Sequence, residues 1–188
     1  MAYSIQKTSA VTTSNVITTA DLKAHLRVDH SDEDTLIEAL RDAAIETVNN
    51  YCNTNLGDVT AVMYLDQFYA HWEIPVGPVI SISSITYNTD VATVATLDAG
   101  NYYVDTVRKP ARISIINAPQ VYDYVHNGVQ VNFSYGFLEA EVPKPLLHAI
   151  RLMVGHWYEQ RQQVVVGTIV ANLPLGIYSL LNPYRVFS

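Results

Sequence analysis

The sequence predicts an α+β fold: a helical bundle built from N- and C-terminal segments, with an antiparallel β domain, a small sandwich or barrel, inserted between them. Three observations lead there. Residues 17–57 and 137–163 carry apolar side chains at helical spacing. Residues 58–136 change to β-branched and aromatic residues in short runs bounded by Gly, Pro, Asn and Asp, which is how antiparallel strands are written. Helical segments on both sides of a run of strands make the β domain an insertion.

Taken in order, residues 1–16 are rich in Ser and Thr without a usable period, and are expected to form a flexible arm. Order is expected to begin at Ile17. Thr18 suits an N-cap, Asp21 stands at N3, and Ile17 and Leu22 are placed to staple the entry, which predicts a short helix over 19–26. Ser31 is the next start signal, with Asp32, Glu33 and Asp34 in the first turn, where carboxylates meet the positive end of the helix dipole. Leu36, Leu40, Ala43, Ala44, Val48 and Tyr51 then mark one face of a helix to about residue 51, closed by Asn53-Thr54-Asn55. Strands are expected at 61–69, 79–87, 91–97, 102–106, 111–116 and 129–135, with turns at Pro75–Pro78 and His126–Gly128.

The stretch after Val142 is the most informative. Pro143 and Pro145 sit where a first helical turn leaves its amide hydrogens unpaired, so they open a helix rather than break one. Leu146, Ile150, Met153, Val154 and Trp157 fall on one face, with Leu147 and Tyr158 at its margin; that face is a core stripe. His148, Leu152, Gly155 and Glu159 share the opposite face. Glycine costs roughly 1 kcal/mol against alanine inside a helix, so this face is expected to be a subunit interface where a second copy approaches the backbone. Beyond Gln163 the helical pattern stops, and residues 164–188 are expected to contact a partner through Val164, Val165, Val166, Ile169, Val170, Leu173 and Leu175. Each buried aliphatic is worth about 1.5 to 3 kcal/mol. Leaving five in water would forfeit on the order of 10 kcal/mol, comparable to a whole domain's stability.

Composition narrows the function. With 49% hydrophobic and 15% charged residues, the 188-residue chain is globular with a sparsely charged surface, of the kind that meets other protein. A formal charge of -7 with only 11 Lys and Arg argues against a phosphate-gripping footprint. The lone Cys52 excludes an internal disulfide and fits a small core residue near a helix end. Neither a signal sequence nor an 18-residue apolar run is visible, so a soluble protein made in a cytoplasm, with no membrane partner, is expected.

No chemistry is written in motifs. There is no G-x-S-x-G elbow, P-loop or dinucleotide fingerprint. The acidic group Asp29, Asp32, Glu33 and Asp34 lacks the glycine and the terminal glutamate of a calcium loop, and the six histidines have no metal spacing. Neither catalytic residues, metal nor cofactor are expected.

Three blocks of the chain resemble a known family. They are I-T-T-A-D-L-K-A-H-L-R-V followed by D-E-D-T-L-I-E-A-L, then P-V-G-P-V-I-S-I-S-S-I-T-Y at 75–87, then G-H-W-Y-E-Q-R with V-V-V-G-T-I-V. In this order they are similar to the head-tail connector, or adaptor, family of tailed phages, often labelled DNA-packaging proteins, with relatives in prophages and gene transfer agents. Residues 1–16 and 88–128 carry no such match. The resemblance implies a non-enzymatic virion protein at the head-tail junction. It implies a homo-oligomeric ring of twelve between the portal protein and the tail or tail-completion protein, through which DNA passes without specific binding. A second class of function is a carbohydrate- or receptor-binding β domain of the tail, in which Trp72 and the tyrosines of the β region would form an exposed platform.

Overall fold

The computed structural model describes residues 3–160 and 175–187. It is an α+β structure with antiparallel sheets, and it divides into two units.

Period-two alternation builds the first unit, Met1–Val11, Asp58–Phe137 and Val186–Ser188. In chain order its strands are β1 (Tyr3–Lys7), β2 (Val59–Leu65), β3 (His71–Ile74), β4 (Val79–Asn88), β5 (Val94–Thr96), β6 (Tyr102–Asp105), β7 (Ala111–Ile115) and β8 (Val129–Tyr135). They form a five-stranded sheet ordered β1-β2-β8-β4-β5 and a three-stranded sheet ordered β3-β7-β6. Along β8, Val129, Val131, Phe133 and Tyr135 are buried, whereas Gln130, Asn132 and Ser134 stay half-exposed on the other face. Met63 and Leu65 of β2, Ile85 of β4, Trp72 and Ile74 of β3 and Ile113 of β7 complete one hydrophobic cluster fed by both sheets. Two register shifts between β4 and β8, at Val79/Ser81 and Ile82/Ser84, accommodate the S-I-S-S run that breaks strict alternation.

Three strand expectations are corrected. The arm over residues 1–16 is, at Tyr3–Lys7, an edge strand paired with β2 from Tyr3↔Leu65 to Lys7↔Ala61. The strand expected at 61–69 ends at Leu65; the Asp66 carboxylate accepts the Asn127 amide hydrogen at 2.9 Å, and β3 begins only at His71. The strand expected at 91–97 is confined to Val94–Thr96.

The second unit is Thr12–Gly57 with Leu138–Arg185. It contains α1 (Thr13–Val16), α2 (Thr19–Leu26), α3 (Asp34–Cys52), α4 (Lys144–Glu159) and α5 (Leu175–Leu181). The single turn α1 precedes the expected start of order at Ile17. At α2 the capping box forms as written. The Thr18 hydroxyl oxygen accepts the Asp21 amide hydrogen at 3.1 Å and its O–H donates to Asp21 Oδ2 at 2.7 Å. That hydroxyl is the main reason the Asp21 carboxyl lies below its ordinary range. Thr18→Ala is expected to lower stability by about 1 kcal/mol in urea titration. A lowered folded pKa means that the wild-type advantage is full above about pH 4 and is lost as pH falls through the folded value.

The buried face of α3 is turned from the expected one. Ile37, Arg41, Ala44, Ile45, Val48 and Cys52 are buried, whereas Leu36 and Leu40 are half-exposed and Ala43 is exposed. A charged residue lies on the inner face because its guanidinium is satisfied: Arg41 Nε donates to Asp42 Oδ1 at 3.0 Å and Nη1 to Thr19 Oγ1 at 3.3 Å. The start also falls later than Ser31. Residues 31–33 form a turn, Glu33 is the N-cap without a side-chain cap, and Asn53 closes the helix in the left-handed conformation at φ 51°.

Cys52 is fully buried, and its Sγ faces the Leu181 carbonyl at 3.7 Å. Burial pushes the thiol up to about 11 from 9.0. The unfolded chain therefore releases this proton first, so the thiol's contribution to stability is constant below about pH 9 and declines between about pH 9 and 11. A thiol reagent at pH 8 is expected to leave Cys52 unmodified until denaturant is added.

Candidate assembly surface

The expected core stripe of α4 is largely realised: Leu146, Ala149, Ile150, Met153 and Val154 are buried, and Trp157 is half-buried. Its N-cap is Pro143, with the second proline inside the first turn. α4 packs against α2, α3 and α5. The Tyr158 hydroxyl donates to the Glu33 carboxylate, and Lys23 Nζ contacts Asp34 Oδ1 at 2.7 Å. Glu33 and Asp34 of the acidic group are thereby engaged with α4 and α2, and no cluster able to hold a metal ion occurs among the described residues.

Of the four candidate interface residues, His148, Leu152 and Glu159 are exposed, with Leu152 retaining 36% of its accessible surface. Gly155 is half-buried and faces α2 of the same chain. A Cβ there would lie in ordinary contact with α2, 3.6 Å from His25 Nε2 and 4.0 Å from Leu26 Cδ2. Of the residues expected to contact a partner, Val164, Val165, Val166, Ile169, Val170 and Leu173 lie outside the described residues. Leu175 opens α5, whose Ile177 and Leu181 are buried. Tyr178 of α5 packs at a tilt against Tyr51, 5.2 Å between ring centroids, the Tyr51 hydroxyl donates to Asn182 Oδ1 at 2.6 Å, and Arg185 lies 5.1 Å over the Tyr51 ring.

The expected aromatic platform is not formed: Trp72 is 3% exposed and belongs to the β core. Tyr103 and Tyr124 are exposed, but Tyr135 is buried. Three-dimensional structure brings together one group the sequence did not reveal. A surface groove of about 390 Å³ is lined by His71, Trp72, Glu73 and Arg112. His71 Nδ1 and Ser114 Oγ are 2.9 Å apart, as cross-strand partners on β3 and β7. Glu73 is taken by Arg112 at 3.2 Å and Arg108 at 3.8 Å, so it balances arginines instead of orienting His71 for proton transfer. The surface features missed by helical patterning are the exposed aliphatics of the β unit, Val91, Val94, Val107 and Ile116. Their only sequence signal is an apolar residue inside a turn-rich stretch.

The family model described as phage gp6-like head-tail connector protein matches residues 16–96, so the resemblance to the head-tail connector family is borne out. Three solved structures share the fold. A chain of the virion of a native gene transfer agent particle matches with TM-score 0.79 and 19% identity. A chain from the neck of an empty particle, computed with C6 symmetry, matches with TM-score 0.78 and 19% identity. A chain from the neck of a native particle, computed with C12 symmetry, matches with TM-score 0.73 and 20% identity. Each match covers 98% of this chain and 96% of the other. No curated protein matches the sequence.

Proposed function

We propose that this protein is a structural head-tail connector of a tailed phage, located in the virion at the head-tail junction. Copies form a ring, twelvefold in the particle, beneath the portal; the ring joins capsid to tail and surrounds a channel for DNA. The observation that carries this proposal is a fold shared over 98% of the chain with neck and virion components, together with the family match at residues 16–96. No reaction is assigned to it.

The exposed side of α4, with His148, Leu152 and Glu159, is the proposed subunit contact, and residues 164–175 reach a neighbouring copy or the portal. Charge suits the role. At -7 per copy, a ring repeats a negative surface, and a Debye length of about 8 Å limits repulsion to DNA near the wall. DNA can then pass without being gripped. The test is the mass of the purified full-length protein, alone and mixed with portal rings. Ring-sized mass, alone or on the portal, supports assembly; a monomer under both conditions overturns it.

A further inference from the structure

The five-stranded sheet ends in two open edges. In the strand order β1 has β2 as its one neighbouring strand, and β5 has β4. Flanking hydrogen bonds fix the phase of both ladders. Thr8 N–H donates to Thr60 O at 2.9 Å, which continues the β1–β2 register and puts even-numbered residues of β1 in bonding phase with β2. The backbone N–H and C=O of Tyr3 and Ile5 therefore turn to the open side. At the other edge, Leu97 N–H donates to Ile85 O at 2.7 Å and Thr89 N–H to Thr93 O at 2.9 Å. Val94 and Thr96 consequently direct their backbone groups outward.

Monomeric proteins guard such edges with short strands, charge, proline or a bulge; β5 is three residues long and β1 ends in the exposed Lys7, but the apolar run around β5 has no charge of its own. Residues 91–97, V-A-T-V-A-T-L, contain neither charge nor proline, and they leave Val91 66% and Val94 56% exposed. In a chain of formal charge -7, this uncharged edge lets another copy approach without local repulsion. Strand direction selects the geometry. Each of the five strands is antiparallel to the next, so β1 and β5 run the same way. Contact between the two different edges is head-to-tail and repeats around a rotation axis, whereas contact between identical edges closes a pair.

Resting on the ring reading above, we propose that β5 of one copy pairs in parallel with β1 of the next, so that the sheet continues from subunit to subunit. The occupant of each open edge is a second copy of this chain.

Val94→Pro tests the pairing, because it removes an outward N–H and leaves every bond inside the β4–β5 hairpin; proline is tolerated on edge strands. Under conditions where the wild type forms rings, the variant is expected to remain monomeric with an unchanged far-UV spectrum and melting curve. Rings formed as readily as by the wild type overturn the edge pairing while the connector function stands. Failure of the wild type itself to form rings, alone or on the portal, overturns the connector function instead. Should Val94→Pro not fold, the exposed pair Ser4→Cys with Val94→Cys decides, treated with a short bismaleimide while Cys52 stays buried. A ladder of linked copies up to ring size is expected from the double variant and not from either single one. Absence of the ladder overturns the inference.

Discussion

Replacing Leu152 by aspartate is expected to abolish ring assembly while leaving the monomer folded. The side chain retains 36% of its surface in the single copy, so a carboxylate there stays hydrated and the fold loses little. In a subunit contact the same carboxylate would be taken out of water, at several kcal/mol without a cationic partner. Since about 1.4 kcal/mol is tenfold in an equilibrium constant, assembly should require at least about 100-fold more protein. Analytical ultracentrifugation of the variant with and without portal rings, beside its melting curve, separates the two effects. Wild-type assembly by the variant would remove this side of α4 from the contact.

The second large effect is expected at the centre of the β unit. Phe133 is 1% exposed, sits in the middle of β8 between β2 and β4, and has its ring 5.6 Å from that of Tyr135. Phe133→Ala should lower stability by about 3 to 5 kcal/mol, from lost transfer energy and from the cavity left among neighbours on both flanking strands. Val107→Ala is the matched control: Val107 is 93% exposed, and its change should stay within about 0.5 kcal/mol. Denaturant titration followed by far-UV and tryptophan signals measures both. Equal effects would mean that the two-sheet cluster does not hold the unit.

How much of this was legible depended on how local each signal is. The entry to α2 is written within four residues, and the Thr18–Asp21 box formed where the sequence put it. The pair of prolines and the stripe from Leu146 to Val154 fixed α4 for the same reason. By contrast β1 takes its order from β2, more than fifty residues away, and nothing inside Y-S-I-Q-K announces that partner. The face of α3 was misjudged because Leu36 and Leu40 looked more inward than Arg41; only the folded chain shows Thr19 and Asp42 meeting the guanidinium. Gly155 was expected to face a second copy, and in the structure the neighbours of its open position are His25 and Leu26 of α2 in the same chain. The open sheet edges were illegible because an unpaired strand and a paired one share one alternation.

The helical unit draws on two distant parts of the chain, and α3 packs against α4. During synthesis Cys52 leaves the ribosome long before Lys144. At about 5 to 20 residues per second, α3 waits on the order of ten seconds for its partner helix. Through that interval the apolar side of α3 is open to chaperones or to nascent chains on the same message, so yield from rapid overexpression should rise as translation is slowed or temperature lowered.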